Sequence, residues 1–103
     1  MKRKRKKTPN VLYHGTSSRL IKSIRKHGLK PDSVHNLVWL TKKKEQAETY
    51  ALLKFNPFFG EHPIIVQVKP KRKEVQLFGR DYFTAKKTIS PKRIISISKV
   101  VLR

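Results

Sequence analysis

The 103-residue chain carries 26 Lys and Arg against 6 Asp and Glu, a formal charge of +20, with 37% hydrophobic residues and no cysteine. That length and apolar content fit one domain with a single modest core, and the missing thiols exclude a disulfide framework, a cysteine nucleophile and a Cys-ligated zinc site. A cation surplus this large is most easily offset by a polyanion, whereas no apolar run approaches the ~20 residues of a membrane span.

Lys2, Arg3, Lys4, Arg5, Lys6 and Lys7 lead into Thr8-Pro9-Asn10 rather than into an apolar segment. Residues 1–9 are therefore predicted to be a disordered basic arm ahead of a domain over 10–103. The arm is not a secretory signal, and the expected location is the cytoplasm. Val11-Leu12-Tyr13 reads as a short strand. Thr16 or Ser17 then caps a helix to about His27, with Leu20, Ile21 and Ile24 buried and Arg19, Lys22 and Lys26 on the outward face. Gly28 falls at the left-handed position after the helix, and Pro31 forbids its continuation. Residues 37–40 form a second strand ending at Thr41, which caps a second helix over 42–54 carrying Ala47, Tyr50, Ala51 and Lys54 at helical spacing. Three lysines in its first turn oppose the helix dipole, a conflict that a phosphate bound among them relieves. Solvation is the simpler reading of any one of the three.

Phe55, Phe58 and Phe59 make an aromatic loop. At least two are expected to cap the core; the other reading is a stacking surface for bases. Residues 63–68 form an apolar strand, central in a sheet. Residues 69–73 make a basic turn, where Lys71 and Arg72 join Lys42, Lys43, the arm and the outer face of the first helix as expected nucleic-acid contacts. Weaker strands are predicted over 74–78 and 81–84, and a last strand over 94–102 with a shift in its alternation. The order β-α-β-α followed by strands predicts an α+β fold.

Four segments in this order, LYHGTSSRLIKSIRKHGLKP, LVWLTKKKEQAETYA, IIVQVKP and TISPKRIISI, resemble the ADP-ribosyltransferase superfamily over residues 11 to about 97. The resemblance implies a split, curved, mixed β-sheet with two main helices that clamps NAD. It implies that His14 hydrogen-bonds the adenosine ribose, that the Gly15 main chain grips the nicotinamide amide, and that Tyr50 stacks on the nicotinamide ring. Thr16 lies beside this grip, and Trp39 and Thr41 line the same cleft. A residue without Cβ suits Gly15, since backbone must approach a flat ligand closely there.

Many relatives supply a glutamate from a late strand, just before the segment that matches ISPKRI. Here DYFTAKKTI offers Lys86, Lys87 and, as its only acid, Asp81. The nearest pattern is that of RNA 2′-phosphotransferases, which resemble this chain in lacking that glutamate and use basic residues to hold a 2′-phosphate while it attacks NAD. Trp39 stands where those enzymes carry a histidine, and His35 is out of step. The residues implied to carry catalysis are His14, Tyr50, Arg19 and Asp81, with Lys42, Lys43 or Arg80 holding acceptor phosphate. The expected function is an NAD-binding ADP-ribosyltransferase-like activity on nucleic acid, phosphorylated RNA in its closest version. The alternative is the same fold clamping nucleic acid without catalysis.

Overall fold

The computed structural model describes residues 11–101; the basic arm, with Lys2, Arg3, Lys4, Arg5, Lys6 and Lys7, lies outside the described residues. The chain runs β1 (Leu12–Ser17), α1 (Ile21–His27), β2 (Val38–Thr41), α2 (Lys44–Lys54), β3 (Pro63–Val68), β4 (Gln76–Leu77), β5 (Tyr82–Ala85) and β6 (Ile94–Lys99), with short 3₁₀ turns between. The fold is α+β, one six-stranded sheet in the order β4-β5-β2-β1-β3-β6 with two α-helices.

Every strand pair is antiparallel, which corrects the mixed sheet expected from the sequence. The reason lies between β1 and β2. Helix α1 carries the chain one way along the sheet and residues 28–37 carry it back, so β2 begins where β1 ended. Gly28 makes this reversal possible: its φ is +87°, and a Cβ there would lie 1.9 Å from the Ile89 carbonyl oxygen. Beyond it, Leu29 and Ile89 exchange two backbone hydrogen bonds of 2.9 Å.

The sheet is joined unevenly. β1 pairs with β3 at every position from Leu12↔Val68 to Ser17↔Pro63, but with β2 only at Tyr13↔Thr41. Two three-stranded halves therefore meet at a single rung and part beyond it. On one face α1 packs Ile24 with Leu12, Val38, Leu40, Val66 and Phe83, the main core. On the other, α2 packs Ala47 and Ala51 with Ile65.

β1 runs four residues past its expected end and carries His14-Gly15-Thr16 inside the strand. The predicted first helix becomes a 3₁₀ turn, Ser18–Leu20, capped by the Ser17 hydroxyl, followed by the shorter α1. At the far edge the β3–β6 register shifts between Gln67 and Val68. Ile94 and Ile97 then pack against the core while Ile95 is 51% exposed, which accounts for the broken alternation. The aromatic loop differs from expectation as well. Phe58 and Phe59 are 92% and 78% exposed, and Phe55 alone is half-buried.

Candidate functional site

The parting of β1 from β2 opens a cavity of about 400 Å³, within the usual range for small-molecule sites and lined by residues of β1, β2, α2, β5 and the loop before β2. Its geometry starts at Gly15. The Ser18 N–H donates to the His62 carbonyl at 2.8 Å, and rungs of an antiparallel ladder alternate in direction. Thr16 and His14 therefore turn their backbone groups toward β3. Tyr13 and Gly15 turn theirs toward β2, where Tyr13 meets Thr41 and Gly15 meets no strand. The peptide groups of Gly15 open on the cavity.

The missing side chain of Gly15 has a different cause from the one the sequence suggested. A Cβ there would lie 1.9 Å from the Ala47 carbonyl oxygen and 2.8 Å from the Ala51 nitrogen. It is the α2 backbone that needs the space. Because α2 sits down on β1 at this point, the next residues along its stripe, Tyr50 and Lys54, overhang the cavity. Tyr50 is 42% exposed. Its ring meets Tyr82 edge to face at 6.4 Å, and the Lys54 Nζ lies 6.0 Å from its centroid.

His14 spans the gap in the sheet. Its Nδ1 donates to the Trp39 carbonyl at 2.8 Å, so Nε2 is left with a lone pair. Burial pushes its pKa down to about 4, against the raising effect of that carbonyl and with a small push from Lys54. The ring is neutral at pH 7, with an acceptor rather than a donor at Nε2.

Trp39 is held in turn by Asp32. The indole N–H donates to Asp32 Oδ2 at 3.2 Å, while Asp32 Oδ1 accepts the His35 and Asn36 N–H groups at 2.6 and 3.0 Å. The His35 N–H is the main cause that holds the Asp32 carboxyl below its usual range. Trp39 also meets His35 and Phe78 edge to face, with centroids 5.5 and 4.8 Å apart. Asp32 is the only acid lining the cavity among the described residues. Sequence reasoning passed over it because it sits in a loop just after the first quoted segment and outside all four.

The remaining expected residues divide. His14, Gly15, Trp39, Thr41 and Tyr50 line the cavity together, with Thr41 Oγ1 already accepting the Lys43 N–H. Thr16 is buried within β1 and is not part of the lining. Arg19 lies on the 3₁₀ turn, 3.9 Å from Glu61. Glu61 accepts the Ser17 hydroxyl and the Asn56 N–H and so ties the aromatic loop to the end of β1. Asp81, 7% exposed, faces the start of α2 rather than the cavity: Lys42 and Lys43 reach it at 3.6 and 3.8 Å, and Gln46 donates to it. The anion that the lysine triplet invites is this carboxylate. Lys71 and Arg72 are exposed on the turn after β3, away from the cavity. Among the described residues no cluster of His, Cys, Asp or Glu is fit to hold a metal ion, and no helix is long and apolar enough to cross a membrane. Comparison with protein-family models and with curated proteins finds no match.

Proposed function

We propose that the chain is a small ADP-ribosyltransferase-like protein that binds NAD in the cavity between β1 and β2 and acts on a nucleic-acid acceptor, phosphorylated RNA in the version nearest its sequence pattern. The observation that carries this reading is the open peptide backbone of Gly15, one donor and one acceptor set beside an aromatic ring. A primary carboxamide on a flat ring is complementary to that set, with its NH₂ on the carbonyl and its oxygen on the N–H. Tyr50 supplies the face for the ring. The His14 Nε2 lone pair suits a ribose hydroxyl, and its low pKa keeps that acceptor available above pH 5. The single rung between β1 and β2 fits the split sheet that the resemblance implies.

Cleavage of the nicotinamide N-glycosidic bond passes through an oxocarbenium-like state of the kind that carboxylates stabilise in glycoside cleavage. Asp81 is turned away and ion-paired, so it is set aside as the catalytic acid. An acceptor phosphate is already anionic and needs positioning more than a base, which suits a basic chain. A second reading, binding without turnover, has its own support: both oxygens of Asp32, the cavity carboxylate, are occupied by hydrogen bonds.

The test is calorimetric titration with NAD, followed by assay of nicotinamide release with 2′-phosphorylated RNA as acceptor. Saturable binding is expected, weakened roughly ten-fold or more in Tyr50→Ala through loss of stacking of about 1–3 kcal/mol. Binding without release selects the second reading. No binding by the folded protein overturns both.

A further inference from the structure

We infer that the surface formed by α1, the Leu29–Ile89 bridge and the 3₁₀ turn Pro91–Arg93 is a docking face for the phosphate backbone of nucleic acid, on the opposite side of the sheet from the cavity helix α2. The argument begins with where the acids are not. All six acidic residues, Asp32, Glu45, Glu48, Glu61, Glu74 and Asp81, lie in the middle of the chain, leaving residues 1–31 and 82–103 with none. These two acid-free stretches are distant in sequence, and the fold brings their described parts together around Leu29 and Ile89.

The contact is close. Leu29 and Ile89 exchange their N–H and C=O groups at 2.9 Å. A Cβ on Gly28 would lie 3.1 Å from the Pro91 ring, and Arg25 and Pro91 line one shallow groove. Arg25, Lys26 and Lys30 thus approach from one side, Lys86, Lys87 and Lys92 from the other. All six are exposed, and none joins an ion pair among the described residues. Other cations are partly spoken for: Arg19 by Glu61, Lys42 and Lys43 by Asp81 and, at the edge of this face, Arg93 by Glu74. Like charges gathered without a counter-charge repel one another, and the repulsion is relieved by a ligand with regularly spaced negative charge. A phosphodiester chain has that form. The apolar face of α1 is spent on the core, so none remains for insertion into a bilayer.

This keeps the outward face of the first helix, which the sequence also offers, adds Lys86, Lys87 and Lys92 to it, and departs from the contacts expected at Lys42, Lys43, Lys71 and Arg72. It shares with the proposed function only the polyanionic acceptor and does not require NAD.

The experiment uses the full chain and fluorescence anisotropy with a labelled mixed-sequence single-stranded RNA and the matching DNA, titrated at several salt concentrations. Lys26→Gln/Lys87→Gln removes two charges from the face. Lys44→Gln/Lys99→Gln removes two exposed charges outside this face, neither of them in an ion pair among the described residues. The first pair is expected to weaken binding about ten-fold at 0.1 M salt and to lower the salt slope by about 1–2. The second is expected to change it less than three-fold. Equal losses in the two doubles, or no loss in either, overturn the proposal. So does affinity for phosphatidylserine vesicles that falls with the first pair while nucleic-acid binding stays unchanged. Melting curves of both doubles guard against unfolding, and Lys26→Glu alone gives a second reading of the same face. Failure of NAD to bind in the titration above leaves this result untouched.

Discussion

At Gly15 one missing side chain meets two demands. The absent Cβ lets α2 rest on β1, and the strand's edge on the other side opens on the cavity because β2 has already diverged. Gly15→Ala is therefore expected to cost about 1–3 kcal/mol through overpacking, read as a lower urea midpoint. It also shifts Tyr50, so the proposed NAD binding is expected to fall together with stability. His14 supports a pH prediction. Its folded pKa of about 4 lies below the ordinary 6.5, so the unfolded chain takes up a proton that the folded chain refuses. This contribution to stability is complete above pH 6.5. It declines as the pH falls toward 4, with a slope of up to about 1.4 kcal/mol per pH unit. His14→Gln keeps an N–H for the Trp39 carbonyl and cannot titrate. In paired urea titrations the wild type should lose more stability than this variant between pH 6.5 and 4.5. Parallel curves would show that the imidazole is not desolvated.

At the scale of elements, legibility depended on how local the cause is. The stripe Ala47, Tyr50, Ala51, Lys54 gave α2 because a 3.6-residue period is a local signal, and Gly28 with Pro31 marked the end of α1 for the same reason. β1 was cut short at Tyr13 because His-Gly-Thr looks like a turn; its pairing with Ile64, Ile65 and Val66 of β3 is a long-range event that no local pattern records. Five of the cavity residues were legible from motif order. Asp32 and Tyr82 were not, since the fold alone carries them there. For the lysine triplet at the start of α2 the sequence offers solvation or a phosphate; in the fold Asp81, from just before β5, comes to sit against Lys42 and Lys43. Asp81→Asn is expected to lower stability by about 1–2 kcal/mol. The loss is small because Lys42 and Lys43 are 44% and 55% exposed and so screened. The deficit should shrink in concentrated salt. A deficit of the same size at every ionic strength would assign the loss to the Gln46 hydrogen bond instead.

Across the whole molecule the charge of +20 opposes folding, since compaction brings like charges together. The acids soften this locally: Asp81, Glu61 and Glu74 each sit against a cation. Glu74 is the instructive case. Its burial alone would raise its pKa, yet the Lys71 N–H and the Arg93 guanidinium bring it below the usual carboxylate range. Such pairs weaken with salt, while the gathered cations without an acid partner, Arg25, Lys26, Lys30, Lys86, Lys87 and Lys92, gain from it, so the sign of the net salt effect reveals which set dominates. With the unpaired cations in excess, the urea midpoint should rise as ionic strength goes from 0.01 to 0.1 M, where the screening length falls from about 30 to about 10 Å, and then level off. Nucleic-acid affinity should fall steeply over the same interval. These opposite trends share one cause, since the counter-ions that quiet the free protein are the ones a phosphate backbone must displace. A midpoint that drops with salt would mean that the paired acids outweigh the bare face, and the driving force assigned to docking would be absent.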